Sequence, residues 1–164
     1  GIFDLADKII GKPLGVISNS FKTVFYQRLT TAKDKLAIFK KSVFLMLVIS
    51  TCLIIPFYIL PENFFVIVLG PEWADISIYI KLLCPLLFAR FVFNVVMPSL
   101  SYTLQNHYLL IWQLIYLILL LFMFWYIPSL NVEDMLFIYS LLGAFMYSLL
   151  GLMSYLVLKN KCQT

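Results

Sequence analysis

The chain has 164 residues, 63% of them hydrophobic and 12% charged, with a mean hydropathy of +0.98 and a formal net charge of +4. Its 12 basic and 8 acidic side chains are too few to coat a water-soluble domain of this size, so the composition predicts an all-α integral membrane protein. The basic excess does not point to nucleic acid, because Arg28, Lys33, Lys35, Lys40 and Lys41 crowd one short segment, as in a cytoplasmic loop.

Five candidate transmembrane helices follow, at about 1–28, 42–60, 74–104, 108–127 and 134–158, each near or above the roughly 17–25 residues that a span needs. The first is polar along one face. At about 100° per residue, Asp4, Asp7, Lys8, Gly11, Lys12, Gly15, Ser18, Asn19, Lys22 and Tyr26 share one sector, and Ile9, Leu14, Ile17, Phe21 and Phe25 lie away from it. Wet helix ends explain part of this, with Asp4 and Lys8 as an i,i+4 pair and Lys22 snorkelling. Lys12 and Asn19 lie too deep for that reading, which favours a cavity wall. Pro13 leaves the Ile9 carbonyl without its helical partner, and Gly11 and Gly15 permit bending or close approach, so this helix is expected to be broken or kinked. The acidic pair Asp4 and Asp7 has the chemistry to couple to an ion, and is equally well placed to pair with Lys8 and Lys12.

The second span ends at Pro61-Glu62-Asn63, and Gly70-Pro71-Glu72 closes the connection after it. Between them the apolar run Phe64 to Leu69 is too short to span and is expected at the interface. The third span carries Pro85, Arg90, Asn94, Met97, Pro98 and Ser101 within apolar sequence, with Arg90, Asn94, Met97 and Ser101 on one face. An Arg at a helix centre costs roughly 2.5–3.5 kcal/mol on insertion scales, so it faces a wet cavity, a partner or a headgroup. Pro85 and Pro98 free the carbonyls of Lys81 and Asn94, and bonding such a carbonyl, or an Asp on a neighbouring helix, is the alternative role for Arg90. Lys81 lies on the other side and reads as a snorkelling residue.

In the fourth span Leu114 to Phe124 is almost uniformly apolar and reads as lipid-facing. The fifth carries the small-residue stripe Ser140, Ala144, Ser148 and Gly151, a helix-packing signal, with Asn131 as its cap and Glu133 and Asp134 in its first turn. One topology satisfies every loop: Arg28 to Lys41, Gln105-Asn106-His107 and the Lys159/Lys161 tail inside, Glu62, Glu72, Glu133 and Asp134 outside. Trp73 and Trp125-Tyr126 then form the outer aromatic belt, Tyr108 and Trp112 the inner one. Gly1 falls outside, which suggests the back part of a longer polytopic protein. Cys52 and Cys84 sit in spans and Cys162 in the basic tail, so no disulfide framework is implied. With one His, no Gly-rich phosphate loop and no Ser elbow, neither an enzyme nor a bound cofactor or metal is indicated.

The order of short motifs resembles one family. Ile2-Phe3-Asp4-Leu5-Ala6, Pro13 and Val24-Phe25-Tyr26-Gln27-Arg28-Leu29 are similar to the "Y-x-L-A … P … V-F-Y-x-x-L" helix of bacterial polysaccharide exporters. Leu69-Gly70-Pro71-Glu72-Trp73-Ala74, with Tyr79 and Pro85, resembles the "G-x-x-W" loop and the proline-bearing helix after it. The chain thus looks like the carboxy-terminal helices of a twelve-helix oligosaccharide (O-antigen) flippase of the multidrug/oligosaccharidyl-lipid/polysaccharide superfamily. Phe3 departs from the usual Tyr, and the amino-terminal lobe is missing. The resemblance implies a V-shaped transporter of the bacterial inner membrane, multi-pass with its C-terminus cytoplasmic. Such a transporter flips an undecaprenyl-pyrophosphate-linked oligosaccharide by alternating access for lipopolysaccharide or capsule biosynthesis, driven by a proton or sodium gradient. Its partners would be the lipid bilayer, the lipid-linked oligosaccharide and the missing lobe. Lys12, Lys22 and Arg90 would meet the anionic pyrophosphate, and Asn19, Asn94 and Tyr26 the rest of the cargo. The alternatives are a multidrug exporter of the same superfamily, which three basic groups disfavour for cationic cargo, and a non-transporting scaffold subunit of polysaccharide assembly.

Overall fold

The computed structural model describes residues 8, 11–59, 67, 70–71, 76–126 and 131–163. Among them six helices run in order: α1 Lys12–Thr31, α2 Lys35–Ile59, α3 Ile76–Asn94, α4 Pro98–Tyr102, α5 Asn106–Tyr126 and α6 Val132–Gln163. Four stretches are long and apolar enough to cross a membrane, namely Lys35–Pro56, Ser77–Tyr102, Asn106–Tyr126 and Val132–Cys162. The architecture is all-helical and compatible with a multi-pass membrane protein.

Several sequence expectations need correction. The described part of the first expected span is too polar to count among the four, because α1 carries Lys12, Lys22 and Arg28 among many hydroxyl and amide side chains. The break or kink expected at Pro13 falls where α1 begins, with Pro13 in its first turn and residues 9 and 10 outside the described ones. Gly11 is already helical (φ −66°, ψ −39°), and both Lys8 and Gly11 sit in wide π-type turns, one way to accommodate a proline that cannot return a hydrogen bond. The expected basic loop 28–41 shrinks to a few residues, since α2 starts at Lys35 rather than Ser42. Asp34 explains the early start: its Oδ1 accepts the Ala37 N–H at 3.0 Å, an N-cap, and the lysines that follow favour helix.

The third expected span is interrupted. Pro98 has no N–H to offer the Asn94 carbonyl, which instead accepts from the Met97 N–H at 3.4 Å in a turn over 95–97 that separates α3 from α4. The face expected to join Arg90, Asn94, Met97 and Ser101 therefore stops being continuous after Asn94. α4 closes with the Gln105 N–H on the Leu100 carbonyl at 3.0 Å and Leu104 in the left-handed region at φ 60°. Asn106 and His107 open α5 rather than forming a loop, and the Lys159/Lys161 tail continues α6 to Gln163. Phe64 to Leu69, apart from Ile67, lies outside the described residues, as do Glu62, Glu72 and Trp73.

α3 occupies the centre. Its Ile80, Leu83, Leu87, Phe91 and Val92, with Val95 in the turn after it, are buried against Phe25 and Leu29 of α1, Met46 and Ile54 of α2, and Leu158 of α6. The small residues of α6 make that approach possible. A Cβ on Gly151 would strike the Phe93 ring, and one on Gly143 would strike Leu86 and come within 2.9 Å of the Tyr116 hydroxyl. Ser140 goes beyond packing, since its Oγ accepts the Leu86 N–H at 3.1 Å next to the helix-interrupting Pro85. Ala144 and Ser148 of the same stripe line an apolar groove of about 590 Å³ with Leu47, Phe88 and Phe93.

α5 is attached along one narrow edge. Trp112 is buried rather than belonging to an aromatic belt, because its Nε1–H donates to the Met146 carbonyl at 2.7 Å and its ring packs on Tyr116 and Tyr147. Leu114, Leu117, Ile118 and Leu121 are exposed, as a lipid-facing surface requires, and so are Trp125 and Tyr126. His107 is exposed beside the Tyr108 ring, and Cys52, Cys84 and Cys162 form no disulfide.

Candidate functional site

α1 and α3 face each other through matching spacings. Leu87, Arg90, Phe91 and Asn94 recur at i, i+3, i+4 and i+7 and form one face of α3, and Leu14 and Ser18, one turn apart on α1 with Gly15 beside them, lie opposite it. Together with Gly11 and Asn19 they enclose a cavity of about 130 Å³. Its floor is apolar, with Leu14, Leu87 and Phe91 buried. Its rim is polar, with Asn19 and Arg90 exposed and Asn94 half-buried. Gly15 contributes space rather than the close approach expected of it, since a Cβ there would meet nothing within 4 Å. Ser18 is 2% exposed, and its hydroxyl has no hydrogen-bond partner among the described residues. A buried hydroxyl left in that state costs about 1–3 kcal/mol, so this wall is suited to receiving a further polar group.

The sequence-derived set divides here. Asn19, Arg90 and Asn94 are brought together around the cavity, whereas Lys12 and Tyr26 are exposed outside it and Lys22 is half-buried outside it. Asp4 and Asp7 lie outside the described residues. A second cavity of about 110 Å³ lies further along α1, where Phe21, Phe25 and Arg28 meet Ser42 and Met46 of α2 and Val95.

Three tyrosines escaped the sequence reading. The charge of Arg90 is felt by the phenols of Tyr116 on α5 and Tyr147 on α6, and Tyr116 is hydrogen-bonded with Tyr139. Arg90, which lines the α1 cavity, is thus near enough to this phenol cluster for its charge to act on it. The available signal was a phenol in the middle of an apolar span, which needs a polar partner as much as a buried guanidinium does. Chemically, the arrangement offers a five-donor guanidinium fork and two carboxamides above an apolar floor, a donor set suited to an oxyanion or a polyol. At about 130 Å³ it falls below the roughly 300–1,000 Å³ of complete ligand pockets, so it is suited to form part of a larger site. Comparison with protein-family models, curated proteins and solved structures returned no match.

Proposed function

We propose that this chain is part of the C-terminal lobe of a V-shaped, twelve-helix transporter that flips a pyrophosphate-linked oligosaccharide lipid across the bacterial inner membrane. One observation carries the reading: Arg90 and Asn94, on a helix apolar enough to cross a membrane, share a polar-rimmed cavity with Asn19 instead of being paired away within the core. A guanidinium in a low-dielectric cleft grips phosphate oxygens in a bidentate manner, and carboxamides beside it match sugar hydroxyls. The cavity is open and small, as one wall of a cleft completed by another lobe would be. The motif resemblance along the chain supplies the cargo class.

The test is export in cells that depend on the protein. With membrane levels held normal, Arg90→Ala should abolish surface polysaccharide and Arg90→Lys should restore it only partly, because Lys keeps the charge and loses the fork. Unaltered polysaccharide with Arg90→Ala would sink the proposal. The effect of its charge on Tyr116 and Tyr147 favours a second reading, in which Arg90 holds α3 to α5 and α6. In that case Arg90→Ala lowers the thermal unfolding temperature of the purified protein in step with export.

A further inference from the structure

Helix termini gather at one end of the bundle. α2 begins at Lys35, α4 ends at Tyr102 and α6 runs out through Lys161 and Cys162, so three membrane-length stretches share one terminus. The residues there are strongly biased in charge: Arg28, Lys33, Lys35, Lys40, Lys41, Lys159 and Lys161 against the single carboxylate Asp34. That carboxylate is committed to the α2 cap, with Oδ1 on the Ala37 N–H at 3.0 Å.

Two of the ammonium groups converge on one ring. Lys35 Nζ lies 5.3 Å and Lys161 Nζ 5.2 Å from the Tyr102 ring centroid, and Lys161 also donates to the Tyr102 carbonyl at 3.4 Å. Lys33 joins them in lining a cavity of about 260 Å³ with Leu158 and Cys162. An aromatic face attracts a cation by about 0.5–1 kcal/mol at an exposed site, which steadies the ammonium groups without neutralising the positive charge that three of them bring to one cavity. An anion between them would neutralise it, and a phosphate has enough oxygens to accept from all three.

We infer that Lys33, Lys35 and Lys161 form a phosphate site around Tyr102 at the basic end of the bundle. Its position at the end of three spans is where the headgroup of an anionic phospholipid lies, and free phosphate offers the same chemistry from the aqueous side. The inference is independent of the transport reading, since the cavity shares no residue with the one at Arg90.

The experiment measures phosphatidylglycerol retained by the full chain in phosphatidylcholine nanodiscs, by mass spectrometry of the extracted lipid. The double variant Lys35→Gln/Lys161→Gln should lower retention about tenfold, as loss of two solvent-accessible ion pairs predicts. Lys40→Gln/Lys41→Gln removes the same charge from exposed positions outside the cavity and should leave retention within about twofold of wild type. Equal losses in both variants, or none in the first, would overturn the site in favour of diffuse surface charge. Excess inorganic phosphate assigns the source: displacement of the lipid means the site takes the free anion as well, and persistence means it takes the headgroup. If the first variant fails to fold, wild type in pure phosphatidylcholine decides. Inorganic phosphate should then raise its unfolding temperature above that in chloride of equal ionic strength, and no difference, with Lys35→Arg/Lys161→Arg also failing to retain phosphatidylglycerol, would refute the inference.

Discussion

Two helices of this protein are both apolar enough to cross a membrane, yet they behave as opposites. Of the apolar stretch containing α3 and α4, 56% is buried inside the protein, whereas the stretch that forms α5, the more hydrophobic of the two, is only 11% buried. In water the more hydrophobic helix would be the one inside. In a bilayer apolar surface has no reason to hide, so the interior goes to the helix that must shelter something else. α3 carries Pro85, Arg90 and Asn94 and leads into the broken backbone before Pro98; α5 shelters little beyond the Trp112 indole N–H and the Tyr116 phenol, both on its attached edge.

That contrast can be broken most forcefully at Trp112. Replacing Trp112 with Ala removes the contact through which α5 is fastened to α6 and leaves a large void, so a loss of about 3–5 kcal/mol is expected in chemical or thermal unfolding. Leu117→Ala, on the exposed face of the same helix, should change stability by less than about 0.5 kcal/mol. A comparable loss from both would mean that α5 is held by its whole surface. Next in size is Gly151→Ala, which pushes a methyl group into the Phe93 ring at the α3 and α6 contact and should cost about 1–3 kcal/mol. The smallest effect is a gain: Leu104→Gly relieves a side chain at φ 60° with its side chain exposed, and should stabilise by about 0.5–1 kcal/mol. An unchanged unfolding curve there would show that the left-handed turn carries no strain.

Much of this organisation was legible in the residues. Hydropathy alone located the four membrane-length stretches, and the i,i+4 spacing of Arg90 and Asn94 placed them on one face. Helix ends were read less well, because Lys35, Lys40 and Lys41 looked like loop charges although lysine is a good helix former and Asp34 supplies a cap. Trp112 was misplaced for a related reason: near a helix end an indole suits a headgroup region, and only the partner helix decides whether its N–H is used inside. The cavity itself was half legible. α1 announced a polar face, but which part of it meets α3 depends on the register between helices, and Gly11, Gly15, Ser18 and Asn19 took that position rather than Lys12 and Tyr26. Register of this kind is fixed by side chains far apart in sequence, so no local pattern reports it.

The hydrogen bond from the Leu86 N–H to Ser140 Oγ has a mechanical consequence. It fastens α3 to α6 beside a proline, the point where an isolated helix would flex most readily, and Gly143 and Gly151 seat the same two helices tightly from there onward, against Leu86 and Phe93. Sliding one past the other would strand a donor in apolar surroundings and force side chains through occupied volume. Any large displacement within this chain must therefore carry α3 and α6 as a single lever, with the compliance concentrated in the short backbone segments at 95–97 and 103–105.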